Sequence, residues 1–146
     1  MRSLVRAPRT PASDVPRQVR RSLLYVDNAP SRIAWMRGVA ERAGVDLITA
    51  STGESGIELA RCRQPDLIIV DLGLLRANAA EVIRNLRESR ETYRIPVMGF
   101  SSRACASIPG LSLYCRRPIA RSEFHALLRT LLGRSSHDRR GAFSSV

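Results

Sequence analysis

Short apolar runs alternate along this chain with segments whose apolar residues recur every three or four positions. Leu23, Leu24, Tyr25 and Val26 make the first run, which ends at Asp27 and reads as a buried strand. Pro30 and Ser31 open a helix with Ile33, Met36, Val39 and Ala40 on one face and Gly44 at its close. Residues 45–50 read as a second strand. Ser51 and Glu54 have capping-box spacing and start a second helix, with Ile57, Leu59 and Ala60 on its apolar side and Pro65 as its stop. Leu67, Ile68, Ile69 and Val70 form a third strand that is apolar on both faces and so needs cover on both. Residues 72–77 read as a loop. Asn78 and Glu81 repeat the capping spacing before a third helix carrying Val82, Ile83 and Leu86. Residues 96–100 make a fourth strand, and Leu113, Tyr114 and Cys115 a short fifth. The last helix covers residues 122–132, buries Phe124, Leu127, Leu128, Leu131 and Leu132, and ends at Gly133.

Strand and helix in alternation make a parallel sheet with helices on both faces, and right-handed crossovers restrict its topology. No glycine-rich phosphate loop follows the first strand, because Asp27-Asn28-Ala29-Pro30 occupies that corner. A dinucleotide fold of the usual kind is therefore disfavoured. A length of 146 residues with 44% apolar content suits one domain with a real core. The apolar runs fall far short of the ~20 residues that cross a bilayer, so no membrane span is expected.

The charge changes this picture only at the ends. The net charge is +11, and all 24 basic residues are arginine. Residues 1–21 and 134–146 hold about two thirds of the excess. Residues 1–21, with Pro8, Pro11 and Pro16, read as a flexible arginine-rich extension, residues 22–133 as the domain, and residues 134–146 as a flexible tail. Arginine-rich ends fit nucleic acid, anionic lipid or an acidic partner, and they equally fit plain solubility. Nucleic acid is the less expected partner: Phe143 is the one aromatic residue in the ends, and no helix-turn-helix is left over. Residues 1–21 lack the apolar stretch of a secretory signal. Cys62, Cys105 and Cys115 match no zinc or disulfide spacing, so a reducing, cytoplasmic location is expected. His125 and His137 have no nucleophile near them in sequence and read as non-catalytic.

Ligands of an open parallel sheet bind beyond the carboxyl ends of its strands. Those ends carry Asp27-Asn28, Asp71, Ser101-Ser102 and Arg116-Arg117-Pro118. An acid beside another acid or an amide can hold a hard cation such as magnesium. A hydroxyl and a cationic side chain can then neutralise phosphoryl oxygens. Together the set describes a carboxylate that accepts a phosphoryl group. Singly, Asp27 also reads as a helix N-cap, Asp71 as a turn former and Arg117 as a surface arginine made extended by Pro118.

These residues carry a resemblance. Leu23-Leu24-Tyr25-Val26-Asp27-Asn28, Gln64-Pro65-Asp66-Leu67-Ile68-Ile69-Val70-Asp71-Leu72, Ile95-Pro96-Val97 leading to Ser101, and Arg117-Pro118-Ile119 resemble the receiver domain of bacterial two-component response regulators. The resemblance implies an α/β, flavodoxin-like three-layer sandwich with a five-stranded parallel sheet in the order 2-1-3-4-5. It implies that Asp71 is the phosphoacceptor, served by a sensor histidine kinase or a histidine phosphotransfer protein. It puts the magnesium contacts on Asp27, Asn28, Asp71 and the Gly73 carbonyl, the switch hydroxyl on Ser101, the invariant cation on Arg117 and the aromatic switch residue on Tyr114. Trp35 falls on the first helix, where the family often meets its phosphotransfer partner; packing between helix and sheet explains it equally well.

The chain departs from the family pattern in ways that matter. Asn28 stands for an acid, which implies a weakened magnesium site. Arg117 stands for a lysine, and a planar fork is not a compact ammonium. Leu75 and Ala79 stand for the usual proline and glycine. The segment between Ser101 and Arg117 is shorter than the family norm, so the fourth helix is expected to be shortened or absent. Tyr114 then either moves with Ser101 or packs in the gap. Two functions follow. The first is a stand-alone response regulator, phosphorylated on Asp71, that signals by protein contact and has no enzyme activity on other substrates. The alternative is a degenerate pseudo-receiver acting as a phosphorylation-independent adaptor or dimerisation module, with a homodimer as one form.

Overall fold

The computed structural model describes residues 20–103 and 108–138, with residues 134–138 described by backbone alone. Five strands, β1 (Ser22–Val26), β2 (Asp46–Ala50), β3 (Leu67–Asp71), β4 (Val97–Ser101) and β5 (Leu113–Arg116), form one parallel sheet in the order β2-β1-β3-β4-β5. Helices α1 (Pro30–Ala43), α2 (Gly53–Arg63), the single turn α3 (Leu72–Leu75), α4 (Ala79–Glu88) and α5 (Arg121–Asp138) connect and follow them. This is the flavodoxin-like order that the sequence implies.

Strand periodicity divides the core. Leu23 and Tyr25 of β1, Leu67 and Ile69 of β3, and Met98 and Phe100 of β4 face α1 and α5, where they meet Met36, Val39, Phe124 and Leu128. Leu24, Val26, Ile68, Val70 and Val97 face the other way, towards Ala60 of α2 and Ile83 and Leu86 of α4. The continuous apolar run of β3 is thus covered on both sides, as its composition requires. The chain leaves β1 for β2 on one side, while β3 lies on the other. That reversal opens a crevice at the carboxyl ends of β1 and β3, where Asp27 and Asp71 stand.

Local chemistry departs from the sequence reading at several ends. The second helix is capped by Thr52 rather than Ser51. Thr52 is extended, its Oγ1 accepts the Ser55 amide at 3.0 Å, and the Ser55 hydroxyl accepts the Thr52 amide at 3.2 Å. The reciprocal partner is therefore Ser55, not Glu54. Residues 72–77 are helical rather than a loop, because Asp71 caps the turn by accepting the Leu74 amide at 2.7 Å. A 3₁₀ turn, Arg76–Asn78, then runs into α4. Asn78 is consequently in helical conformation and makes no side-chain cap, contrary to its spacing from Glu81. Gly133 does not end the last helix, which continues to Asp138, so the expected tail is helical at its start. Gly44 does close α1, in the left-handed conformation at φ 69°.

Among the described residues no helix separates β4 from β5. Ser102 and Arg103 bend away from the sheet, and the chain returns through a turn at Gly110, where φ is +96°. Residues 104–107, with Cys105, lie outside the described residues, as do residues 1–19 of the expected extension and residues 139–146 of the expected tail. Arg20 and Arg21 are described and pair with Asp46 (3.0 Å) and Asp66 (3.6 Å). No helix among the described residues is long and apolar enough to cross a membrane.

Candidate functional site

Asp27 follows β1 directly, and its amide continues the ladder by donating to the Ala50 carbonyl at 3.0 Å. The side chain is completely buried, which is tolerable for a carboxylate only if its lone pairs are met. They are. Oδ1 accepts the amides of Asn28 (2.7 Å) and Ala29 (3.1 Å) and Nη2 of Arg32 (2.9 Å). Oδ2 accepts Nε of Arg32 at 2.8 Å and the Tyr25 hydroxyl. Arg32 thus forks onto both oxygens, the bidentate geometry that makes arginine–carboxylate pairs strong. Burial pushes the Asp27 carboxyl up, but the hydrogen bonds from Arg32, Tyr25 and the Ala29 amide outweigh it and hold the group below the usual carboxylate range. Burial, and then the bond to Asp27, push the Tyr25 phenol well above its ordinary value.

Asp71 ends β3 and is 2% exposed. Its Oδ1 accepts the Leu74 amide, and its Oδ2 accepts Nη1 of Arg117 at 2.7 Å. Arg117, just beyond β5, also donates from Nη2 to the Tyr25 hydroxyl at 2.9 Å and lies 3.6 Å from Asp27 Oδ2. Its guanidinium sits 4.1 Å over the Phe100 ring, a contact the flat arginine makes better than lysine would. Arg32 Nε reaches Asp71 Oδ2 at 3.7 Å. Two buried carboxylates therefore share two guanidiniums, with the Tyr25 hydroxyl between them.

The structure brings Asp27, Asp71 and Arg117 together as the sequence implies. Asn28 and Gly73 line a polar cavity of about 560 Å³ beside them, together with Arg32, Arg76 and Ser102. Ser101 is at the end of β4, 8% exposed, and its hydroxyl accepts the Arg103 amide at 3.1 Å. The Tyr114 hydroxyl donates to the Arg103 carbonyl, so both expected switch residues hold the same bend after β4. Trp35 packs against Phe100 and Phe124, with ring centroids 6.2 and 5.2 Å away, and lines an apolar cavity of about 280 Å³ with Tyr25, Arg32 and Arg117. Among the described residues no cluster of three or more His, Cys, Asp or Glu side chains is placed to hold a metal ion.

Sequence reasoning missed Arg32 and Tyr25. A signal for Arg32 was present: it is a cation in the first turn of α1, with no acid there, at the helix end whose dipole disfavours positive charge. Such a residue needs a specific anion, and Asp27 lies five positions back. Tyr25 was hidden because one bulky aromatic in an apolar strand run looks like core.

The fold and pocket define a class: a doubly wound parallel sheet with an aspartate pair at its switch point. No family model matches the chain. Comparison with curated proteins finds the alkaline phosphatase synthesis transcriptional regulatory protein PhoP of Bacillus subtilis, 30% identical over 119 residues, 79% of this chain and 50% of that protein. It also finds the polar-differentiation response regulator DivK of Brucella ovis, 26% identical over 77% of this chain and 97% of DivK. Among solved structures, the receiver domain of the sensor histidine kinase PA1611 from Pseudomonas aeruginosa, described with magnesium in its active-site cleft, superposes with a TM-score of 0.71 at 18% identity. That match covers 79% of this chain and 99% of that one. The chain carries a receiver domain of the response-regulator kind. It spans about half the length of PhoP.

Proposed function

We propose that this receiver passes its signal by protein contact and holds its pocket in one state without a phosphoryl group, as a phosphorylation-independent adaptor or dimerisation module. The observation that supports this reading is the neutralisation of both carboxylates from within the chain: Arg32 forks onto Asp27, and Arg117 binds Asp71. Magnesium demands near-octahedral oxygen ligation at about 2.0–2.1 Å. A carboxylate offers about four lone-pair sites, and Asp27 already accepts five hydrogen bonds. Asn28 supplies no second charge. The oxygens that would hold the ion are therefore already filled in this arrangement and do not fit it. The cytoplasm is the proposed location, since Cys62 and Cys115 stand as free thiols.

A second reading keeps Asp71 as a phosphoacceptor for a sensor histidine kinase or histidine phosphotransfer protein. It is favoured by the meeting of Asp27, Asp71 and Arg117 in one pocket. Incubation with magnesium and acetyl phosphate, followed by intact mass measurement, separates the two. The unmodified mass is expected. A gain of one phosphoryl group that disappears in Asp71→Asn would refute the first reading and establish the second.

A further inference from the structure

Arg32 lies outside the set of residues that the resemblance assigns, yet one of its atoms, Nε, binds Asp27 and comes within ion-pair distance of Asp71. We propose that Arg32 is a tethered counter-ion that fills the place of a divalent cation between Asp27 and Asp71, and that its removal creates a binding site for a hard divalent ion such as magnesium or manganese. The inference deepens the reading above and rests on the same pair of guanidiniums.

Position is the first argument. Nε of Arg32 is 2.8 Å from Asp27 Oδ2 and 3.7 Å from Asp71 Oδ2, so the guanidinium fills the space between the two carboxylates that a bridging ion would have to enter. Orientation is the second. Nε and Nη2 meet the two oxygens of Asp27, while the side chain as a whole keeps 40% of its surface exposed. The guanidinium thus closes the pocket from the solvent side rather than lying buried within it. The third argument is local. Arg32 stands in the first turn of α1, against the helix dipole, so the helix does not explain its position and the Asp27 carboxylate does.

The fourth argument concerns what remains when Arg32 is taken away. Arg117 keeps its bond to Asp71 but approaches Asp27 only to 3.6 Å. Two buried carboxylates would then share one guanidinium and carry a net negative charge. Asn28 and Gly73 line the adjoining polar cavity. Oxygen donors, excess negative charge and an open polar space together suit a hard cation.

The test is calorimetric titration of the full chain with magnesium chloride and manganese chloride. The proteins are the wild type, Arg32→Ala, Arg32→Gln and the double variant Arg32→Ala with Asp27→Asn. Trp35 lines the same apolar cavity as Arg32, so its fluorescence gives a second readout. The wild type is expected to show no saturable binding. Both Arg32 variants are expected to bind at least roughly ten-fold more tightly than the wild type, because a like charge has left the site. The added Asp27→Asn is expected to abolish the gain. Wild-type binding as tight as that of the variants would overturn the proposal, and so would folded variants that bind nothing. If neither variant folds without metal, the far-UV circular dichroism of the folded state should return on adding magnesium, and its failure to return overturns the proposal as well. The two ideas fail separately. Phosphorylation of Asp71 in a wild type that binds no metal would sink the functional reading alone. Metal binding by an unmodified wild type would sink the counter-ion alone.

Discussion

Arg87 ties the turn at Gly110, which leads into β5, to the end of α4 and to the chain entering β4, and replacing it tests how far that turn depends on one side chain. Arg87, at the end of α4, donates Nε to the Gly110 carbonyl (2.8 Å), Nη1 to the carbonyls of Tyr93 (3.0 Å) and Ile95 (2.7 Å), and Nη2 to the Ser112 hydroxyl (3.1 Å). None of these partners is a carboxylate, and desolvation holds the guanidinium below its ordinary pKa. Its aliphatic stem packs on the turn, where a Cβ built on Gly110 would stand 3.1 Å from Arg87 Cγ and 2.8 Å from Ile83 Cγ2. Hydrogen bonds to a charged group contribute about 1.5–3 kcal/mol each. Most of these carbonyls stay within reach of water, so the sum must be cut sharply. Arg87→Ala is expected to cost about 2–4 kcal/mol, a large part of a marginal total. At a urea m-value of about 2 kcal/mol/M the midpoint should fall by roughly 1–2 M. Arg84→Ala, one turn back and exposed, is the control and should stay within about 0.5 kcal/mol of the wild type. Arg87→Lys should restore little, because one ammonium cannot span the same acceptors. Arg87→Ala with the stability of Arg84→Ala would refute the idea that Arg87 clamps this segment.

Three further expectations follow from the site and the core. Tyr25→Phe removes a hydroxyl that donates to Asp27 and accepts from Arg117; thermal melts should show a loss of about 1–2 kcal/mol, and no loss would mean that the hydroxyl does not link the two arginine pairs. Asp27 is held below the usual carboxylate range in the fold, so the unfolded chain takes up the proton first. The stability it contributes is complete above a pH of about 4 and is lost as pH falls through the folded-state value. Asp27→Asn should flatten that acid limb of the urea-midpoint profile, and a limb of unchanged steepness contradicts the assignment. Gly56→Ala would bring a Cβ to 2.8 Å from Val26 Cγ2, with an expected cost of about 1–3 kcal/mol, partly recovered on a Val26→Ala background if the clash is the cause.

The elements that sequence reading placed well are those whose periodicity is enforced by burial on both sides. The run Leu67, Ile68, Ile69, Val70 has no other reading at that length, and β3 is buried at every position. The pairing of Asp27 with Asp71 was legible because strand ends in a parallel sheet converge whatever their side chains. Helix termini were less legible, since capping depends on one backbone conformation. Ser51 and Thr52 are both good caps, and only the extended conformation of Thr52 decides between them. Gly133 misled because a glycine ends a helix only if the chain turns left-handed there, and here the helix simply continues. Arg87 was not legible: its partners are the carbonyls of Gly110, Tyr93 and Ile95 and the Ser112 hydroxyl, which the tertiary fold brings to it, and no local pattern encodes that.

Charge balance connects the departures at the site. The resemblance places an acidic pair, an acceptor aspartate, a divalent cation and one lysine in such a pocket, three negative charges against three positive. Here Asn28 removes one acid and Arg32 adds one cation. The pocket is left with Asp27 and Asp71 against Arg32 and Arg117, and it is neutral again without an ion from solution. Without an ion, either change alone would leave one negative charge uncompensated beside a carboxylate with no solvent exposure, which is costly; together they supply the two units of charge that the divalent ion would bring. A phosphoryl group on Asp71 would replace its single negative charge by about two next to Asp27. Both guanidiniums would then be drawn towards it and away from the Asp27 carboxylate and the Phe100 ring. On the proposed reading this balance disfavours the modification, and Arg32 and Asn28 should therefore be altered together in any attempt to restore a site that accepts it.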